Sequence, residues 1–304
     1  MPSHLKQRVR ARMEKTGESY QQALRHVRAQ EERAASEPAT SPIQEKVVRS
    51  RTVADTAFSI AAVRAEEGRR PEGERLFVDP YADAFAAAGA HAAESTQRFL
   101  DLPFFRDGVR LRTKFIDDCV RDGMTAGLDQ VVLLGAGFDA RGLRMAEIEA
   151  RRATVFEVDT PEQLARKRHV LTAAGVKLPA RVVYVPFDFD TPDLESELAG
   201  ALEMAGFRPG AGAMFVWEGV IGYVDDTAID QSLRLMATAG GPRSRVAFTF
   251  ADEAHLGTED MAVRTKRCGF GSFESLAGDA LWRRYLPGDP PPTAWVMKVG
   301  LAIV

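Results

Sequence analysis

The chain has 304 residues, of which 45% are hydrophobic and 27% are charged, so it can bury a full-sized core. Its net charge of −3 argues against nucleic acid as the principal partner, because neutralising phosphates takes a surplus of Lys and Arg. No apolar run approaches the roughly 20 residues that cross a bilayer, and residues 1–15 lack the apolar segment of a secretory signal. The cysteines and histidines lack the spacing of metal ligands. We therefore expect a cytoplasmic globular protein with no nucleic-acid, membrane or metal partner.

Residues 5–33 have the spacing of two amphipathic helices, separated near Gly17. This segment is basic, with eight Lys and Arg against four Glu. A solvated helix face is the simplest interpretation; a lid, a contact between copies in a homo-oligomer and a dock for a carrier protein are the alternatives. Residues 34–42 are small, polar and proline-containing, which is typical of linkers. We expect residues 1–42 to form a helical N-terminal extension and linker.

The segment from 43 to 127 is predicted to be mostly helical and to form a lid or cap. Its helical pattern is interrupted by a charged turn over Glu66–Arg75, by Asp79-Pro80 and by Leu102-Pro103. Over Val109–Arg121, apolar residues recur at helical spacing with basic residues among them, Arg112 included.

From 128 to 304 short apolar strands alternate with segments of helical length. The predicted strands are Val131–Leu134, Thr154–Val158, Arg181–Val185, Ala213–Trp217, Arg245–Phe250 and Trp295–Val304, and the predicted helices are Ala140–Ala150, Pro161–Ala174, Leu194–Ala205 and Thr227–Ala239. Such alternation indicates an α/β fold in which a parallel sheet has helices on both faces.

A glycine-rich turn follows the first of these strands. Gly135 and Gly137 allow the backbone to turn tightly and a ligand to approach it without meeting a Cβ atom. The turn lacks the Lys-Ser/Thr pair of a phosphate-binding P-loop. Two glycines in such a turn also occur for packing alone, so the motif by itself does not identify a cofactor.

Acidic residues follow the next two strands. Glu157 and Asp159 end the second strand, where a carboxylate can accept both ribose hydroxyls of an adenosine-containing cofactor. Asp188 follows the third strand and can accept the adenine amino group, with Phe189 or Phe187 packing on the ring. Because parallel strands end at one edge of a sheet, we expect these side chains to line a common crevice with the glycine turn.

Two cofactors compete for this site. The turn also satisfies the GxGxx(G/A) pattern of dinucleotide-binding proteins, but Asp139 would then lie beside a pyrophosphate at a helix start, where like charges repel. S-adenosylmethionine has no phosphate and bears a sulfonium and an ammonium, which suits an acidic loop. None of the five tyrosines has a lysine four residues later, as short-chain dehydrogenases require. These features favour S-adenosylmethionine over NAD.

At these residues the sequence resembles the leucine carboxyl methyltransferase family, which includes many bacterial members that act on small metabolites. The segment Val131–Arg141 is similar to the family's VVxLGAGxDTR signature. Further similar segments are Thr52–Ala57, Asp79–Ala82, Arg112–Asp118, Phe156–Pro161 and Trp217–Val224. The resemblance covers about residues 45–250 in the family's order. It implies a Rossmann-like class I methyltransferase with a mostly parallel seven-stranded sheet, S-adenosylmethionine as cofactor, and an N-terminal helical extension or lid before a cofactor-binding core over 128–304.

The resemblance also implies roles for individual residues. Arg112 would pair with the cofactor carboxylate, Gly135 and Gly137 would admit the methionine moiety, and Asp159 would hold the ribose. Asp139 and Glu157 are further candidates for binding the cofactor. Asp188 and Phe189 would lie at the adenine. The predicted catalytic residues are Glu218, near the ammonium or sulfonium, and Tyr223, facing the acceptor pocket. Simpler roles remain open: Arg112 as a surface charge, Glu218 as a helix cap, and Tyr223 as a core residue.

The identity of the acceptor is left open by the sequence. Ala140, Trp217 and Gly222 depart from the family pattern, largely on the substrate side. A carboxylate acceptor is ionised near pH 7 and needs no general base, whereas a phenol with a pKa near 10 benefits from one; no motif offers a histidine base. We expect O-methylation of a small metabolite in bacterial secondary metabolism, either on a carboxylate or on a phenol aided by Glu218 or Tyr223. One alternative is a cyclase that consumes S-adenosylmethionine and releases methylthioadenosine and a cyclic amino acid. The other is a cofactor-binding regulatory or interaction protein.

Overall fold

A computed structural model of the chain describes residues 56–251, 260–294 and 297–304. The predicted helices, linker and oligomer contact of residues 1–42 lie outside these ranges. Within them, no helix combines the length and the apolar character needed to cross a membrane.

A seven-stranded sheet forms the centre of the fold. The strands are β1 Gln130–Leu134, β2 Thr154–Asp159, β3 Val182–Pro186, β4 Met214–Trp217, β5 Arg245–Ala251, β6 Ser272–Ala277 and β7 Met297–Ile303. Their order is β3-β2-β1-β4-β5-β7-β6, and β7 alone runs in the direction opposite to the other six strands. The predicted fold class is therefore confirmed. After β3 the chain crosses to the other side of β1, so the strand order reverses between β1 and β4. Open α/β sheets bind ligands in the crevice at the carboxyl ends of the strands next to such a reversal.

Eleven helices are described, together with single helical turns at Ala90–Ala92 and Ile221–Tyr223. They are α1 over 56–68, α2 Ala82–Ala88, α3 Ala93–Leu100, α4 Phe105–Thr125, α5 Arg141–Arg144, α6 Ala146–Arg151, α7 Pro161–Ala173, α8 Leu194–Met204, α9 Asp226–Gly240, α10 Met261–Arg267 and α11 Gly278–Tyr285. The helix predicted over Ala140–Ala150 is split into α5 and α6, because Met145 between them is extended (φ −87°, ψ 113°).

Alternating residues of the strands build two cores, one on each face of the sheet. Val132 and Leu134 of β1 face the layer of α8, α9 and α10. Val131 and Leu133 face the layer of α4, α6 and α11. Because both faces are covered, β1 is buried along its whole length, as the apolar run Val131–Leu134 predicts.

A third core joins the glycine turn to the helices that precede the sheet. Phe138 of the turn stacks on Phe85 of α2, with ring centroids 4.7 Å apart, and lies 5.2 Å from Phe58 of α1. All three rings are buried. Burying an aromatic side chain contributes about 1.5–3 kcal/mol, so this cluster fixes the turn against α1 and α2.

Candidate functional site

The glycine turn leaves β1 in a backbone conformation that favours glycine. Gly135 has φ +66° and Gly137 has φ +46°, both in the left-handed region. A Cβ atom on Gly135 would lie 2.3 Å from Cγ2 of Val220, whereas a Cβ on Gly137 would meet only the Gly135 carbonyl, at 3.8 Å. Gly135 is therefore needed for the close approach of the loop after β4, and Gly137 leaves open space where a ligand can lie.

Asp159 fixes the turn from the end of β2. Its Oδ2 accepts a hydrogen bond from the Gly137 amide at 2.7 Å, and its Oδ1 accepts one from the Thr160 amide at 2.7 Å. Burial raises the pKa of Asp159, and the two amide donors act in the opposite direction. The carboxylate thus lies beside the glycine turn, at the sheet edge where the ribose is predicted to bind.

Asp188 and Phe189 lie beyond the end of β3. Asp188 is exposed and accepts a hydrogen bond from the Asp190 amide at 3.0 Å. Phe189 is partly buried and packs edge-to-face on Phe187, with centroids 5.6 Å apart. A carboxylate and an aromatic ring are therefore both available at the carboxyl end of β3, where the adenine is predicted to bind.

The prediction that Glu157 holds the ribose needs revision. Glu157 is fully buried and forms an ion pair with Lys167 of α7 at 2.6 Å. In the sheet, Glu157 lies opposite Leu133 of β1 and Tyr184 of β3. It is therefore two residues further from the carboxyl end of β2 than Asp159, which is the last residue of that strand. Lys167 also donates a hydrogen bond to the Asp139 carbonyl. Glu157 therefore supports the glycine turn from beneath through Lys167.

Asp139 also has a different environment from the one expected. Its Oδ1 accepts a hydrogen bond from the Arg141 amide at 2.8 Å, and its Oδ2 forms an ion pair with the Arg141 guanidinium. Because this charge is paired, the repulsion of a pyrophosphate by Asp139 is weaker than the sequence suggested. The preference for S-adenosylmethionine must therefore rest on other residues.

Glu218, which directly follows β4, is surrounded by arginines. Its Oε1 accepts a hydrogen bond from Nε of Arg112 at 2.9 Å, and its Oε2 accepts one from Nη1 of Arg141 at 2.9 Å. Nη2 of Arg64 donates to both oxygens, at 3.3 and 3.2 Å. Burial disfavours the charged carboxylate, but the three guanidiniums outweigh it and hold the pKa of Glu218 far below its usual range. We call Arg64, Arg112, Arg141 and Glu218 the arginine cluster.

The arginine cluster continues into the layer beneath it. Arg141, which is fully buried, also binds Asp117 of α4 at 2.8 Å, and Arg144 binds the same carboxylate at 2.7 Å. Nearby, Asp79 is buried and accepts a hydrogen bond from the Tyr81 amide at 3.1 Å. Burial raises the pKa of Asp79, although the charges of Arg64 and Arg144 act against this rise.

Sequence reasoning assigned no role to Arg64, Asp117, Arg141 or Arg144. Arg141 ends the glycine-turn signature and Asp117 lies in the Arg112–Asp118 segment, so the family resemblance offered a signal for these two. Arg64 lies 154 residues from its partner Glu218, and no local pattern indicates that pairing.

Two residues of the segment Trp217–Val224 remain: Tyr223, a predicted catalytic residue, and Trp217, which departs from the family pattern. The Tyr223 hydroxyl donates a hydrogen bond to Oγ1 of Thr56 at 3.2 Å, so it ties the loop after β4 to α1. Trp217 is fully buried in the core beneath α8, α9 and α10, and its departure from the family pattern therefore does not alter the substrate side.

The site fits a cofactor that has a carboxylate and an adenosine. Nη2 of Arg112 is buried and has no hydrogen-bond partner among the described residues, so a ligand carboxylate would satisfy it. The turn at Gly137 leaves backbone space, and Asp159, Asp188 and Phe189 follow at the adjacent strand ends. In the described ranges no three His, Cys, Asp or Glu side chains form a group that could hold a metal ion.

The chain is similar to known proteins over most of its length. The model of the leucine carboxyl methyltransferase family matches residues 57–237. A Frankia alni protein described as an S-adenosyl-L-methionine-dependent methyltransferase is 31% identical over 255 residues, which is 81% of each chain. A Streptomyces coelicolor protein of the same description is 32% identical over 244 residues, covering 77% of this chain and 78% of the relative. A crystal structure described as that of a methyltransferase from Thermobifida fusca has a TM-score of 0.46 at 19% identity and covers 72% of this chain and 87% of that one.

The family match extends over most of the elements that build the site. It begins in α1, which contributes Arg64, and ends in α9, just after the loop that contains Glu218 and Tyr223. The chain belongs to the leucine carboxyl methyltransferase family and is an S-adenosylmethionine-dependent methyltransferase.

Proposed function

We propose that the enzyme methylates an oxygen atom of a small metabolite, and that this oxygen belongs to a carboxylate. The observation that supports a carboxylate is the state of Glu218. Its pKa is held far below the usual range, and three arginines donate to it, so it cannot serve as a general base near pH 7. A carboxylate acceptor is already ionised at that pH and needs no base.

The other ionisable groups of the loop region support the same choice. Asp139 is paired with Arg141, and Asp159 accepts two backbone amides. His169 of α7 is exposed, and His91 packs edge-on against Phe58 with ring centroids 5.4 Å apart. None of these groups is arranged to take a proton from a phenol.

The bound cofactor supplies a methyl group on a sulfonium, and the protein's part is orientation. Holding the two reactants in line contributes much of the rate of such a displacement. We propose that Arg112 binds the carboxylate of the cofactor, that Asp159 binds its ribose and that Asp188 and Phe189 bind its adenine. In this proposal Tyr223 lies beside the acceptor, where its hydroxyl, held by Thr56, orients the reacting oxygen.

A role in bacterial secondary metabolism and a cytoplasmic location, both expected from the sequence, belong to the same proposal. The Frankia and Streptomyces relatives support the bacterial setting.

The proposal can be tested with cofactor labelled in its methyl group and matched pairs of small acids and phenols. Alkali hydrolyses a methyl ester and releases labelled methanol, whereas a methyl ether keeps its label. We expect product whose label is volatile after alkali treatment. Label that resists alkali would show an ether or amine product and would contradict a carboxylate acceptor.

Incubation without an acceptor is the matched control. Release of methylthioadenosine from the cofactor alone would show that the cofactor is itself the substrate, as in the cyclase alternative. We expect no methylthioadenosine above the rate in buffer.

A further inference from the structure

We propose that Ile60 of α1 forms an apolar wall of the acceptor site, and that the acceptor is a carboxylic acid whose body next to the carboxylate is apolar. Ile60 is then a specificity-determining residue of this enzyme. The inference rests on the proposed methylation of a carboxylate and adds the chemical class of the molecule that carries it. It concerns the acceptor alone and leaves the residues proposed to bind the cofactor unchanged.

One face of α1 carries the contacts that join this helix to the loop after β4. Thr56, Ile60 and Arg64 follow one another at intervals of four residues, so their side chains share a face of the helix. The Tyr223 hydroxyl donates a hydrogen bond to Thr56 at 3.2 Å. Arg64 binds Glu218, also at 3.2 Å. Ile60 therefore lies one turn from each contact and faces the stretch of chain between Glu218 and Tyr223.

Ile60 differs in burial from its two neighbours on this face. Thr56 is 8% exposed and Arg64 is 5% exposed, whereas Ile60 is partly exposed although closed contacts flank it on both sides. Phe58, on another face of α1, is packed in the third core. In the described part of the chain, Ile60 joins none of the three cores. An aliphatic side chain placed in this way borders a space that an apolar ligand can fill.

The loop that Ile60 faces has two glycines, which leave room for a ligand. A Cβ atom on Gly219 would have Nη2 of Arg112, at 3.5 Å, as its sole neighbour within 4 Å among the described residues. A Cβ on Gly222 would meet none of them within 4 Å, and the φ angle of Gly222 is outside the left-handed region. Neither packing nor backbone conformation therefore requires a glycine at 222. The acceptor carboxylate can lie at Tyr223 while its body lies against Ile60.

The polar groups on either side of Ile60 are paired with one another. Three arginines bind Glu218, and the Tyr223 hydroxyl is bonded to Thr56. A charged acceptor body would have to lie against Ile60 without a partner, and burying a polar group without a hydrogen bond costs free energy. An apolar body gains from the same contact, because each buried CH₂ group strengthens binding about fourfold. The surroundings of Ile60 therefore favour an apolar body.

The test measures acceptor binding without methyl transfer. Enzyme saturated with S-adenosylhomocysteine is titrated calorimetrically with butyrate, octanoate and suberate. Octanoate and suberate have the same chain length, but suberate ends in a second carboxylate. The titrations are made with the wild type, Ile60→Gln, Ile60→Ala and Val263→Gln. Val263 is the matched control, because it is an exposed aliphatic residue of α10, a helix that contributes no residue to the site.

We expect the wild type to bind octanoate at least about tenfold more tightly than butyrate or suberate. Ile60→Gln should weaken octanoate binding about tenfold and leave butyrate binding within about twofold, so that most of the preference for octanoate is lost. Ile60→Ala should lie between the wild type and Ile60→Gln. Val263→Gln should bind all three acids as the wild type does. Each variant should bind S-adenosylhomocysteine normally, which shows that it is folded.

Any of four results overturns the proposal. Wild-type enzyme that binds suberate as tightly as octanoate, or that binds none of the three acids, has no apolar wall at the acceptor site. An unchanged preference for octanoate in Ile60→Gln places the apolar contact elsewhere. Equal weakening of all three acids by Ile60→Gln means a general structural role. The alkali assay reports the methylated atom and not these affinities, so failure of the proposed function is distinguished from failure of this inference.

Discussion

Val220 packs against Gly135 so closely that a Cβ atom on the glycine would lie 2.3 Å from Cγ2 of Val220. Gly135→Ala therefore combines this overlap with a strained φ of +66°. We expect the variant to lose S-adenosylhomocysteine binding by more than tenfold in calorimetric titration. Adding Val220→Ala removes the overlap but leaves the backbone strain of about 1–2 kcal/mol, so the double variant should recover part of the affinity.

Gly175→Ala is the matched control for this substitution. Gly175 also has a positive φ, +71°, but a Cβ there would meet nothing within 4 Å. The control should lower stability by about 1–2 kcal/mol and leave ligand binding unchanged. Equal binding by Gly135→Ala and Gly175→Ala would contradict a specific need for glycine at 135.

The buried Lys167–Glu157 pair predicts that removing Lys167 alone destabilises the protein more than removing both residues. Lys167→Met leaves an uncompensated buried carboxylate and removes the donor to the Asp139 carbonyl. We expect a loss of about 3–5 kcal/mol in the free energy of unfolding. The double variant Lys167→Met/Glu157→Leu should regain a large part of that loss, because no buried charge is left alone. Denaturant unfolding measures both, and a double variant less stable than Lys167→Met would contradict the prediction.

The ion pairs of Glu218 are expected to make the free energy of unfolding smaller at acid pH. Its pKa in the folded protein lies below its ordinary value of 4.5, so its contribution is fully present above that value and is lost as the pH falls towards the folded-state pKa. Glu218→Gln should therefore destabilise the protein by about 3–5 kcal/mol at pH 7. The gap to the wild type should narrow below about pH 4. Urea unfolding at a series of pH values measures this gap, and a constant gap would argue against the pairing.

The contribution of Asp79 to the free energy of unfolding should change with pH in the opposite direction. Burial raises its pKa above the ordinary 3.8, so the folded protein binds this proton more tightly than the unfolded chain does. Its contribution to stability is greatest below pH 3.8 and declines as the pH rises through the folded-state pKa. The stability of Asp79→Asn relative to the wild type should accordingly improve between pH 4 and pH 8. If the stability of Asp79→Asn relative to the wild type falls over this range, the charges of the arginines outweigh burial and the pKa of Asp79 is not raised.

The sequence predicted strands β1 to β5 to within one residue at either end, because buried parallel strands are nearly unbroken apolar runs. It did not locate β6, Ser272–Ala277, which lies at the sheet edge with exposed and partly buried residues and has no such run. It also missed α10 and α11, and it did not foresee the extended Met145 that separates α5 from α6.

The sequence indicated which residues come together at the site but not how far each side chain is buried. Glu157 and Asp159 are two residues apart on one face of β2, and only their position along the strand separates a buried ion pair from a side chain at the sheet edge. The partners of Glu218 were missed for a different reason. Arg64, Arg112 and Arg141 come from α1, α4 and α5, and only the packing of these helices brings them to one carboxylate.

A crystal structure with S-adenosylhomocysteine bound tests the assignment of the cofactor site most directly. We expect the ligand along the carboxyl ends of β1, β2 and β3, with its carboxylate within hydrogen-bond distance of Nη2 of Arg112. Its ribose should lie at Asp159, and its adenine at Asp188 and Phe189. A ligand bound away from the glycine turn, or one whose carboxylate does not reach Arg112, would contradict the assignment.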